Sequence, residues 1–230
     1  MSLQGRSIEH GSILWVGLVS VFMGCGADSE SDPPRIPEVA APARPFDADI
    51  FLADVRWDPS GTPTVGTVTN LTGRPGYDNQ PHFLPDGSGL WYTAVDENDG
   101  QADIWRYQFD SGMVTRVTLS NPESEYSATP LPDGSGISTI RVEADSTQRL
   151  WRFDLDGSNA SVMMEGIDPV GYHAWADPTT VVMFVLGEPT TLRRGDTSTG
   201  DAVVLAQDIG RAIQRIPESN DISYVQRHAD

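Results

Sequence analysis

Leu84-Pro85-Asp86-Gly87-Ser88-Gly89 returns, letter for letter, as Leu131-Pro132-Asp133-Gly134-Ser135-Gly136. The hexapeptide spells a tight turn. Proline fixes φ at the first corner, aspartate bonds the backbone ahead of it, and glycine takes a positive φ without strain. Positions 84–89 and 131–136 lie within the roughly 40–50 residue period of propeller blades, outside that of helical solenoids. An identical hexapeptide at that spacing marks a duplicated unit, so the chain reads as an array.

Short β-prone runs flank each copy. Around the first lie Pro81-His82-Phe83, then Leu90-Trp91-Tyr92-Thr93-Ala94-Val95, Asp103-Ile104-Trp105-Arg106-Tyr107-Gln108-Phe109, and Val114 to Leu119 after the turn Asp110-Ser111-Gly112. That is a unit of four strands and three turns. The second unit repeats it through Ile137 to Val142, Leu150-Trp151-Arg152-Phe153-Asp154-Leu155, the hairpin turn Asp156-Gly157, and Val162-Met163-Met164. The third is worn: Trp175 takes the place of Phe83, Asp177-Pro178 replaces the turn, and the strands fall at 181–185, 192–194 and 202–205. A fourth begins at Ile213 and Ile222. Upstream, Asp49-Ile50-Phe51-Leu52 matches the Trp105 and Trp151 strands, and 64–71 reads as a fourth strand. The expected fold is all-β: four-stranded antiparallel blades of a β-propeller, three complete repeats plus two half blades.

The Pro-Asp-Gly turn, the Trp-Arg-aromatic third strand and the Asp-x-x-Gly hairpin resemble the TolB-type repeat, a WD-repeat-like blade, over residues 46–230. The resemblance implies a β-propeller, commonly six-bladed, in the bacterial periplasm. The strands here are too few for six blades. Two readings follow: the half blades pair and close a four-bladed ring, or the array is a truncated six-bladed propeller.

Residues 1–25 read as an export signal. An apolar run from Ile13 to Met23 is shorter than the ~20 residues that span a bilayer but suits a signal core. Cys25, the single cysteine, follows Gly24, so no intramolecular disulfide forms. The Gly-Cys junction resembles a bacterial lipobox, which implies lipidation of Cys25; the other reading is an ordinary secretory signal. Gly26 in the next position points to the outer membrane. Residues 26–45 are rich in Pro, Asp and Ser, cannot bury a core, and read as a disordered tether.

The formal net charge is −18, and all 15 basic residues are arginine. Such a surface repels nucleic-acid phosphate and anionic lipid, leaving the lipid anchor as the one contact with a membrane. His82 and His173 fall near first strands of blades, with Asp78 and Glu125 just upstream; these four are candidate channel-lining residues. They come from separate blades and do not share one register, so they are not a spaced ligand set. Asp96, Asn98, Asp99 and Asp103 offer oxygens of the kind Ca²⁺ takes, but lack the downstream glutamate of an EF-hand and read equally as a solvated turn. No nucleophile elbow, phosphate loop, His-Glu-x-x-His or Cys-x-x-Cys occurs, so no catalytic residue, metal or cofactor is assigned.

The expected function is a non-enzymatic cell-envelope lipoprotein, outer-membrane-anchored or periplasmic. Its propeller would bind envelope proteins or peptidoglycan-associated partners. The alternatives are the regulatory propeller of a peptidase or hydrolase, and a channel-site polysaccharide-binding or lyase protein.

Overall fold

The computed structural model describes residues 47–227, apart from 97 and 99. The signal, the tether, Cys25 and Asp99 therefore lie outside the described residues. Among the described residues, sixteen strands form five antiparallel sheets. The first sheet pairs β1 (Phe51–Trp57) with β2 (Pro63–Asn70). The second is a meander of β3 (Asp78–Phe83), β4 (Gly89–Val95), β5 (Ala102–Gln108) and β6 (Val114–Arg116). The third is β7 (Ser124–Pro130), β8 (Gly136–Val142), β9 (Gln148–Asp154) and β10 (Ser161–Val162). The fourth is β11 (Val170–Trp175), β12 (Thr180–Val185), β13 (Thr191–Asp196) and β14 (Ala202–Gln207). The fifth pairs β15 (Ile209–Arg215) with β16 (Ile222–Gln226). Half, whole, whole, whole, half is the division the repeat predicts. The two halves form separate sheets, so the pairing that would close a four-bladed ring is not made among the described residues.

The duplicated turn explains why each blade folds back where it does. Ser88 N and Oγ donate to Asp86 Oδ1 at 3.0 and 2.7 Å; Ser135 repeats both bonds on Asp133 at 2.9 and 2.7 Å. Gly87 and Gly134 sit at φ 71° and 72°, the left-handed region that glycine enters without a Cβ clash. The second glycine has a different task. A Cβ on Gly89 would strike the carbonyl oxygen of Tyr107, and one on Gly136 that of Phe153, because strands two and three begin there in close contact.

Four apolar clusters hold successive sheets face to face. Ile50 joins Leu90, Tyr92 and Ala94; Trp91 and Ile104 meet Ile137 and Phe153; Ile140 and Leu150 meet Val170, Trp175 and Val181; Val182 and Phe184 meet Ile209 and Ile213. The second strand is the most buried of each complete blade, since both its faces and both its edges are covered. β16 holds that position with four of its five residues exposed, because no third strand covers it.

The fourth strands of the first two complete blades are short, 3 and 2 residues. β6 ends at Arg116 rather than Leu119, because Thr118 leaves the ladder to clamp the third strand: its Oγ1 accepts from Ile104 N at 2.9 Å and donates to Asp103 Oδ1 at 3.0 Å. Thr72 does the same for Ile50 N and Asp49 Oδ1, at 3.1 Å each. The shared clamp identifies β1 and β2 as strands three and four of a blade.

Candidate functional site

The four first strands, β3, β7, β11 and β15, each carry a register shift near their start. It falls between Asn79 and His82, between Tyr126 and Thr129, at Gly171, and between Ile209 and Ile213. First strands run the same way in every repeat, so the bulges gather at one end of the array. A bulge bends its strand and re-aims side chains, and such features concentrate beside binding sites. Gln80 and Ser127, at equivalent positions in β3 and β7, take φ of 55° and 57° although neither is glycine. The two bulges are tied across the blades: Ser127 N donates to Gln80 Oε1 at 2.9 Å, and Thr93 Oγ1 donates to the same oxygen at 3.2 Å.

Three tyrosines lie beside these bulges. Tyr77 precedes β3 and accepts a bond from Asn79 Nδ2 at 3.0 Å. Tyr126 packs its ring against the cluster between the second and third complete blades, and Tyr172 packs against the next, 6.1 Å from Phe184. All three are half-buried. Burial raises the Tyr77 and Tyr126 pKa, and the phenols add to it: Tyr172 acts on Tyr77, and Tyr77 on Tyr126. The three tyrosines thus stand at the starts of the first strands of three successive blades. Arg211 stands in the β15 bulge, exposed, with no hydrogen-bond or ion-pair partner among the described residues.

The residues singled out from sequence fall around this ring in different ways. Asp78 and Glu125, the equivalent first-strand acids, are 1% and 0% exposed and present no carboxylate to solvent. Arg74 Nη2 donates to Asp78 Oδ1 at 2.5 Å. Ser120 Oγ donates to Glu125 Oε1 at 2.5 Å, with Arg141 Nε 3.2 Å from the same oxygen. Burial raises both carboxyl pKa values, offset in part by Arg74 at Asp78 and by Ser120 at Glu125. These acids brace the junctions between blades.

His173 is buried; its Nε2 lies 2.7 Å from Ser138 Oγ, which also accepts from Trp175 Nε1 at 2.9 Å. Burial, then the nearby His82, pulls its pKa down to about 3, so the imidazole is neutral. His82 is exposed; desolvation by its neighbours lowers its pKa, offset in part by Phe83 O, which lies 2.9 Å from its Nδ1. The two histidines stand on the first strands of the first and third complete blades.

Asp96 and Asp103 meet at a guanidinium: Arg116 Nη1 lies 3.3 Å from Asp96 Oδ2, and Nη2 lies 2.5 Å from Asp103 Oδ2. Asp96 also accepts from Asn98 N and Nδ2 in an Asx turn. Among the described residues no group of three or more His, Cys, Asp or Glu is arranged to hold a metal. Sequence reasoning passed over Tyr77, Gln80, Tyr126, Tyr172 and Arg211. No motif marks them: Gln80 precedes Pro85 by five residues and Tyr126 precedes Pro132 by six, and a register shift between two strands leaves no local signal.

Comparison with known proteins supports the fold. No protein-family model matches the chain. An uncharacterised Agrobacterium fabrum protein is 27% identical over 107 residues, covering 44% of this chain and 36% of that protein. The structure of TolB from Acinetobacter baumannii superposes with a TM-score of 0.57 at 18% identity, covering 78% of this chain and 49% of that one. A TolB-like protein from Agrobacterium tumefaciens gives 0.52 at 20% identity, covering 68% and 61%. A chain of a nidogen–laminin complex gives 0.55 at 14% identity, covering 70% and 59%. The chain thus spans about a third of its curated relative and half to three-fifths of these structures. The architecture is a TolB-like β-propeller.

Proposed function

We propose that this protein is a non-enzymatic lipoprotein of the bacterial cell envelope, anchored through Cys25 and using its propeller as a protein-binding scaffold. One observation carries the reading. The acids and the buried histidine that could have done chemistry are committed to bracing blades: Asp78 to Arg74, Glu125 to Ser120, His173 to Ser138. What stays available is a rigid rim of bulges and loops. A rigid scaffold that presents exposed loop and strand-end groups is suited to recognition. The nidogen–laminin neighbour is itself a protein–protein complex, an analogy of fold.

Two experiments test it. Metabolic labelling with a palmitate analogue should mark the wild type and leave Cys25→Ser unlabelled. Cross-linking in intact cells should recover one specific envelope partner; recovery of none removes the scaffold reading.

A further inference from the structure

The two half blades are complementary. β1 and β2 hold the places of strands three and four, and β15 and β16 those of strands one and two. The turn from β15 to β16 supports the second assignment: Ile216 N donates to Asp221 O at 2.9 Å, as Leu84 N does to Gly89 O and Leu131 N to Gly136 O at the same distance. Among the described residues the two halves are separate sheets, so β1 and β16 each keep one unpaired edge.

The complete blades supply the register in which such edges meet. Tyr92 of strand two lies opposite Trp105 of strand three, and Thr139 lies opposite Trp151. Tyr224 follows Ile216 by the same eight residues that part Tyr92 from Leu84 and Thr139 from Leu131. Phe51 follows the clamped Ile50 as Trp105 follows the clamped Ile104. Tyr224 and Phe51 are therefore the matching pair. Tyr92 and Thr139 are 2% and 0% exposed, whereas Tyr224 is 43% and Phe51 48% exposed. Trp105 and Trp151 pack on the clusters that join their blades to the preceding one. Phe51 shares its face with Trp57, Val65 and Val68, all exposed. The charges are also complementary. Residues 47–70 hold four aspartates and one arginine; residues 209–227 hold three arginines, one glutamate and one aspartate. Unlike ends attract, and the acidic ends of two copies repel each other.

We propose that two copies of this 230-residue chain join head to tail: β16 of each pairs with β1 of the other, Tyr224 opposite Phe51, and the half blades fuse into whole ones. Three whole blades and two halves from each copy make a closed ring of eight, within the roughly four to eight blades of propellers. An unpaired edge accepts a further strand through main-chain hydrogen bonds. A head-to-tail contact that closes on itself gives a finite assembly rather than a fibre. Each joint lays Phe51 against the third complete blade of the second copy, repeating the blade-to-blade contact made within each chain. The inference is independent of the envelope function.

The test uses the full chain carrying Cys25→Ser, which leaves no other thiol. Phe51→Cys and Tyr224→Cys chains, mixed in detergent solution and oxidised, should form a disulfide-linked pair in roughly tenfold or greater excess over either variant oxidised alone. With both cysteines in one chain, the product should be a linked pair of chains. Light scattering of the unmodified chain should give two copies. Tyr224→Asp should weaken the association roughly tenfold or more, because it sets a charge on the joining edge opposite an acidic half blade, whereas Val204→Lys on the outer edge β14 should leave it unchanged. A monomer, linkage of like variants with each other, a disulfide closed within one chain, or dissociation by Val204→Lys would each overturn the proposal.

Discussion

His173 and Glu125 are both buried, and the fold resists the ionisation of each. The consequences for stability have opposite signs. The folded-state pKa of His173 is depressed to about 3, so its contribution is fully present above the unfolded value of about 6.5. It is lost as pH falls below that, by up to about 1.4 kcal/mol per pH unit. Glu125 is raised, so the folded state binds its proton first and gains stability as pH falls through that pKa toward the unfolded value of about 4.3. Urea unfolding between pH 4.5 and 8 should therefore respond oppositely to two variants. His173→Gln should unmask a rise in stability on acidification, and Glu125→Gln should steepen the fall. Parallel pH profiles for both variants would contradict these assignments. A second residue-scale expectation concerns the repeated turn: Gly136→Ala should cost about 1–3 kcal/mol in thermal or urea unfolding, since its Cβ meets backbone rather than a yielding side chain.

The unit of construction above the residue is the clamp between strands three and four. It pairs Asp with Thr in two blades and is absent as a pair from the third, where Arg149 and Met164 occupy the places and Met164 is buried in an apolar cluster. Thr118→Val keeps the shape and removes the hydroxyl, leaving Ile104 N without its partner. A loss of about 1–3 kcal/mol is expected, and less for Thr72→Val, whose site is only half-buried. Equal costs would mean the clamp is not stabilised by burial. Strand existence and blade division were legible in the sequence because turn chemistry is local: Asp86 and Asp133 bond residues two places on. The ends of fourth strands were not, because Thr118 leaves its ladder for a partner 15 residues away. The bulges were not legible either, since a register shift belongs to two strands at once.

At the scale of the molecule, the outer edges differ. β6 and β10 have 3 and 2 residues, whereas β2 and β14 have 8 and 6, carry no charge, and expose Val65, Val68, Val203, Val204 and Leu205. Long uncharged edges template pairing with other chains. Val204→Lys should slow the growth of light scattering in concentrated solution by roughly threefold or more, while Thr115→Lys, at an exposed position on a short edge, leaves it unchanged. The sequence alone determined the array: its all-β class, the blade boundaries and the half blade at each end, all carried by turns and alternation that act within a few residues. It also supplied the chemistry of each candidate side chain. Only the tertiary structure decided what those side chains do. It turned Asp78 and Glu125 into braces, gave Asp96 and Asp103 to Arg116, and buried His173 on Ser138. The reason is physical. A pKa, an ion pair or a shared rim depends on which groups lie nearby across the axis and on how much water is excluded, and neither is a property of neighbours along the chain.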